Sequence, residues 1–182
     1  TTGNLNVAVG GAALSSNTVG DRCVAVGHNA LSSMNPASNE DMYNVAVGLN
    51  ALSNTTTGRF NVAVGGDCCN TQTTATNNTA VGHGALYYNT GSYNVAMGTG
   101  TLDANTTANY NTGLGWSALS ANTTGGNQTA VGASALVSCT TGIQNTAVGA
   151  NCLDALTNAS NNVAVGFDTL GGCTTGGNNT AI

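Results

Sequence analysis

Two histidines, six cysteines and seven carboxylates are the side chains with the most chemistry to offer in this chain. Their spacing argues against most of that chemistry. His28 and His83 occupy the same place in a repeated unit, three units apart. Stacking the units puts ~14 Å between them, too far for two ligands of one metal. Asp21, Asp67, Asp103, Asp154 and Asp168 are scattered, and Glu40-Asp41 are adjacent, which makes a poor acid/base pair. No nucleophile stands at a spacing that would bring it to a base. The reading is therefore a protein that is not an enzyme and needs neither a metal nor a cofactor. Six cysteines invite a disulfide framework. Cys139 and Cys173, however, sit two units apart, at ~9–10 Å in a stack, beyond the ~7 Å reach of a bridge. Cys68, Cys69 and Cys152 stand in columns of small or apolar residues, and Cys23 in a column of Asn. Buried free thiols are expected, with bridges between chains as the alternative.

The elements that position these residues are set by a repeat. Asn44-Val45-Ala46-Val47-Gly48 returns as Asn61-Val62-Ala63-Val64-Gly65 and as Asn162-Val163-Ala164-Val165-Gly166. With the Asn as position 1, the position-5 glycines are Gly10, Gly27, Gly48, Gly65, Gly82, Gly98, Gly115, Gly132, Gly149 and Gly166. The period is 17 residues, broken by one four-residue insertion near 34–43 and one single deletion. Position 3 is Ala except Gly113, position 4 is Val except Met97 and Leu114, position 8 is small, and position 9 is Leu except Cys69.

Gly, Asn, Thr and Val recur in every unit and are poor helix formers. Positions 2 to 5 read as a short β-branched strand ending in Gly. Seventeen residues cannot fold alone, but they form one coil of a parallel β-solenoid that pairs with the coil above it. The expected fold is all-β: a β-roll of ten coils, a rod of roughly 50 Å. It occupies residues 1–182 as a single repeat domain, with the insertion looping out at a corner.

Within the coil, alternation puts positions 2 and 4 on one face and positions 3 and 5 on the other. Asn6, Asn44, Asn61, Asn78, Asn94, Asn111, Asn145 and Asn162 are expected to form an amide ladder, each side chain bonded to its copy, at a corner that uses the left-handed region. The position-5 glycines close the strand at a second corner. Val at position 4 and Leu at position 9 are expected inside the coil. The Ala/Gly face is expected to press on the opposite wall or on another chain, so that Ala46→Leu should harm assembly more than a change at Leu49. Position 6 varies widely and faces out. Tyr43, Phe60, Tyr93 and Tyr110 each precede a position-1 Asn. They read as corner stacks or, with Trp116, as a surface strip for a cell-surface glycan. Tyr87-Tyr88 are further exposed aromatics.

Composition narrows the function. Charged residues are 5% of the chain, against about a quarter in typical domains, and the formal charge is −5. Two arginines cannot make the basic surface that nucleic acid needs. No apolar run approaches the ~20 residues of a membrane span, and no signal-peptide pattern opens the sequence.

The Asn-Val-Ala-Val-Gly strand followed by a small residue and Leu resembles the β-roll head repeats of trimeric autotransporter adhesins. The fuller pattern, as in Asn145-Thr146-Ala147-Val148-Gly149 and Asn78-Thr79-Ala80-Val81-Gly82-His83-Gly84-Ala85-Leu86, is similar to repeats of phage tail-fibre proteins. The resemblance implies a left-handed β-roll assembled as a homotrimer, with a structural or adhesive role. The adhesin repeat is shorter than 17 residues, so the coil here is larger.

The expected function is a structural shaft segment of a phage or virus tail fibre, located in the virion and contributing to host-surface attachment. A bacterial surface adhesin or extracellular filament is the alternative, and an ice-binding solenoid a lesser one. Self-association is expected, as a homotrimer or as a filament joined end to end, because the chain opens and closes inside a repeat.

Overall fold

The computed structural model describes residues 3–182; Thr1 and Thr2 lie outside the described residues. The protein is a parallel β-solenoid of about ten coils of about 17 residues, all-β, with no helix among the described residues. Strands Val7–Val9, Val24–Val26, Val45–Val47, Val62–Val64, Thr79–Val81, Val95–Met97, Thr112–Leu114, Thr129–Val131, Thr146–Val148, Val163–Val165 and Thr180–Ala181 form one parallel sheet in chain order. Each residue pairs with its own copy in the next coil, as Ala46 does with Ala63 and Ala130 with Ala147. The two sides without regular strands are also bonded coil to coil. Leu52 N–H donates to the Cys68 carbonyl at 3.0 Å, and Asp67 N–H to the Leu49 carbonyl at 2.8 Å.

Position 4 does not point into the coil as expected, and of the two expectations for the Ala/Gly face the opposite wall is the one that holds. Position 3 points inward: Ala25, Ala46, Ala63, Ala80, Ala96, Ala130, Ala147 and Ala164 are all fully buried. Position 4 points outward, with Val64, Met97, Leu114, Val148 and Val165 among the exposed apolar residues. The physical reason is the width of the coil. Position 3 faces positions 8 and 9 across a thin interior, where a methyl fits and an isopropyl does not. A Cβ built on Gly113 would lie 2.6 Å from Thr101 Cγ2 and 3.4 Å from Leu102 Cδ1. Leu at position 9 does fill the interior, as expected. The face of Ala46 is therefore the inside of the coil and not a meeting place between chains. Ala46→Leu would overfill the coil itself.

That crossing explains the one glycine at position 3. Thr101 replaces the usual small residue at position 8 and donates its hydroxyl to the Gly115 carbonyl at 2.5 Å. Gly113 gives up its methyl to make room. Gly113→Ala is expected to destabilise the protein, and Thr101→Ala introduced with it to recover the loss, with a coupling of about 0.5–3 kcal/mol between the two sites. Urea unfolding midpoints of the four chains measure it; additive effects would refute it.

The corners depend on left-handed backbone at four positions per coil. Position-5 glycines have φ between +123° and +140°. Positions 7, 9 and 17 take φ near +50° to +62° with ordinary side chains, including Leu52 (+52°), Asn50 (+54°) and Tyr93 (+62°). The left-handed residue at the Asn corner is thus position 17, not position 1. Each such residue costs on the order of 1 kcal/mol. The inter-coil ladders offset the cost.

The insertion is held rather than free. Glu40–Asp41 pairs with Gly20–Asp21 as a two-stranded parallel sheet. Met34, Pro36 and Met42 are buried beneath it. Both arginines clamp it: Arg22 Nε lies 2.6 Å from Asp41, and Arg59 2.7 Å from Glu40. Arg22 also sits over the Tyr43 ring, 5.5 Å from its centre.

Candidate functional site

Two surfaces and one internal spine carry the expected site residues. The spine comes first because it fixes the register of everything else. Asn44, Asn61, Asn78, Asn94, Asn145 and Asn162 are fully buried, and Asn111 almost so. The side-chain oxygen of each accepts mainly from the backbone N–H of the next coil, as in Asn61 N–H to Asn44 Oδ1 (3.0 Å) and Asn111 N–H to Asn94 Oδ1 (3.0 Å). The amide nitrogen donates to a position-15 carbonyl, Gly58 for Asn44 (2.7 Å) and Gly125 for Asn111 (2.9 Å). Direct amide–amide rungs occur at Asn61–Asn44 and Asn162–Asn145. Asn6 makes the same pair of contacts, to Cys23 N–H and the Gly20 carbonyl. The ladder is mostly side chain to backbone, because a turn carbonyl is closer to the amide nitrogen than the next amide is.

A second amide column runs beside the first at position 12, which sequence reading did not single out. Asn89 donates to Gln72 Oε1 (3.1 Å), Asn105 to Asn89 Oδ1 (2.7 Å) and Asn122 to Asn105 Oδ1 (2.8 Å). Asn78 to Gln72 and Gln128 to Asn122, each at 3.0 Å, tie the two columns together. No buried side-chain polar atom among the described residues lacks a partner. The spacing of Gln72, Asn89, Asn105 and Asn122 by one coil each was the available signal. Beyond Asn122 the column turns apolar, through Cys139, Leu156 and Cys173.

The cysteines are free, and all but the half-buried Cys173 are buried. Burial pushes the Cys23 thiol up to about 11 and raises those of Cys139 and Cys152. A hydrogen bond from Cys68 and burial hold Cys69 well above the usual range. The thiolate is disfavoured at Cys23, Cys69, Cys139 and Cys152, and these side chains behave as small apolar fillers.

The first surface is the outer face of the sheet. Positions 2 and 4 of eleven strands present Val, Thr, Met and Leu in register, and position 6 adds Leu49, Trp116 and Phe167 at its margin. Trp116 and Phe167 are 61% and 76% exposed. No charged side chain interrupts positions 2 and 4.

The second surface carries the aromatics at position 17. Tyr43 stacks on Phe60 at 5.7 Å and Tyr93 on Tyr110 at 5.0 Å, with the rings nearly parallel. The coil spacing of ~4.8 Å places like residues at stacking distance. Trp116 stands apart at position 6 and belongs to the sheet margin.

These features define the class: a parallel β-solenoid repeat protein with a polar internal spine and an apolar outer sheet. No protein-family model, curated protein or solved structure matches the chain.

Proposed function

We propose that this chain is a structural shaft segment of a fibre, built by self-association of identical chains through the outer face of the parallel sheet. The observation that carries the reading is the uncharged strip at positions 2 and 4, apolar all along position 4 and Val or Thr at position 2. A strip roughly 50 Å long and 10–15 Å wide offers about 500–750 Å² per chain, close to the ~800 Å² per partner of a standard stable interface. A surface of this size stands at the upper end of the apolar patches that monomers leave in water. A homotrimer needs two contact surfaces per chain, and the sheet with its position-6 margin supplies adjacent ones.

The repeat's resemblance to phage tail-fibre repeats supports a viral fibre, placed in the virion and engaged with the host surface. Its resemblance to trimeric adhesin heads supports a bacterial surface or extracellular filament as the alternative. Both readings use the same face and the same assembly.

Sedimentation equilibrium tests the shared part. The native protein is expected to run as a multiple of its 17.8 kDa chain mass. Val64→Asp combined with Val148→Asp is expected to release the folded monomer. A native protein that stays monomeric at micromolar concentration would sink the reading.

One observation favours ice binding as a second reading. Thr79, Thr112, Thr129, Thr146 and Thr180 lie at position 2 of a parallel sheet paired in register. Against it, the position-13 threonines spend their hydroxyls on the next coil, as Thr106 does on the Thr123 carbonyl and Thr140 on that of Thr157. Thermal hysteresis in the charged double variant and its parent decides between the two.

A further inference from the structure

Position 7 carries Asn, Asp, Ser or Ala in every coil but two neighbouring ones, which have Gly84 and Gly100. The missing side chains leave an open cleft of about 310 Å³ lined by His83, Gly84, Tyr87, Tyr88, Thr99, Gly100 and Asp103. That volume lies at the small end of the ~300–1,000 Å³ range of ligand sites. Tyr87 and Tyr88 meet edge to face at 4.6 Å, so one ring stands as a wall to the other. Tyr88 is 56% exposed. The polar groups at the rim are the Asp103 carboxylate, the His83 imidazole and the Thr99 hydroxyl. Partial burial raises the Asp103 carboxyl above its ordinary value. Asp67 adds a second carboxylate 3.8 Å from His83. No cation stands with them, since Arg22 and Arg59 are held by Asp41 and Glu40.

An exposed ring face beside hydroxyl acceptors matches a ligand with one apolar face and a rim of O–H donors. A pyranose ring has that form: axial C–H groups on one side and equatorial hydroxyls around the edge. The local negative charge disfavours acidic sugars.

We propose that this cleft is a saccharide subsite taking one uncharged hexopyranose unit, whose C–H face stacks on Tyr88 and whose hydroxyls donate to Asp103. The proposal deepens the attachment half of the function above. The cleft's walls come from positions 6, 7, 10 and 11 and none from positions 2 or 4, so it lies beside the sheet face and meets the proposed interface only at its margin, at His83 and Thr99.

The test is saturation-transfer NMR and calorimetry on the intact chain with the methyl glycosides of glucose, galactose, mannose and N-acetylglucosamine. Glucuronate and phenol serve as controls. At least one neutral glycoside is expected to bind and glucuronate to fail. Tyr88→Ala is expected to weaken binding about tenfold, the ratio that losing one such contact gives. Gly84→Asn with Gly100→Asn is the sharper variant. Asn already occupies this left-handed position at Asn29, Asn50 and Asn151. A Cβ on Gly84 meets nothing within 4 Å, and one on Gly100 meets only Ser117 Oγ at 3.6 Å. The double variant is expected to stay folded, with a melting temperature lowered by no more than several degrees, and to lose the sugar. Binding the bound glycoside as the terminal unit of an immobilised oligosaccharide, against the free form, separates a surface glycan from a soluble sugar. Failure of all four neutral glycosides overturns the proposal. So does binding of phenol alone, or sugar binding that survives the double variant.

Discussion

Gly65→Ala is expected to be among the most damaging single changes in this protein. Gly65 has φ +138°, a region that side-chain-bearing residues hardly enter, at about 1–3 kcal/mol of backbone strain. The added methyl would also lie 2.6 Å from the Gly82 carbonyl oxygen of the next coil. That carbonyl is backbone, fixed between ladders on both sides, and cannot rotate away. The strand would have to separate from its neighbour at its C-terminal end. A loss exceeding about 3 kcal/mol is expected from the two effects together. Urea denaturation reads the total, and hydrogen exchange should show the opening centred on Val62–Val64 and Thr79–Val81. Gly84→Ala is the control. Its φ of +65° is the left-handed region used throughout the corners, and the space around it is open. It should cost only about 1–2 kcal/mol. Equal effects of the two substitutions would show that the position-5 column is not constrained by contact between coils.

Asn105→Leu is the second large effect. Asn105 donates to Asn89 Oδ1 at 2.7 Å and to the Ala108 carbonyl at 3.0 Å, and accepts from Asn122 at 2.8 Å. Leucine is close in volume but satisfies none of these groups. The second N–H of Asn122 would be left unpaired in a fully buried site, at about 1–3 kcal/mol for that group alone. The same column accepts Leu156 because its neighbours there are Cys139 and Cys173, which present no amide to be orphaned. Leu156→Asn is therefore expected to destabilise too, by placing an amide among thiols. A thermal melt of the two variants, each against its parent, checks both directions. If Asn105→Leu raised the melting temperature, the spine would be a tolerated remnant and not a source of register.

A leucine or a valine in that spine would let the stack slide by a coil at little cost, because neighbouring coils are nearly alike. Bonds between Gln72, Asn89, Asn105 and Asn122, cross-tied to Asn78 and Gln128, are satisfied only when each coil sits on its own neighbour. The polar spine thus selects one register, while Leu at position 9 supplies most of the apolar burial.

The sequence by itself determined the period, the parallel solenoid and the glycine column. Ten glycines at a fixed offset can only mean a place where a Cβ is excluded in every coil, and a strand of Val, Thr and Ala between Asn and Gly leaves little else to build. It also determined that positions 2 and 4 share a face. Only the tertiary structure decided which face looks inward, because alternation relates neighbouring residues to each other and not to a centre. The distance from position 3 to positions 8 and 9 settled it, by admitting Ala and excluding Val. The αL residue before each Asn, the partner of each amide and the cleft at Gly84 and Gly100 were decided there as well. Each depends on what lies across the coil or in the next one, at a separation that a reading along the chain does not measure.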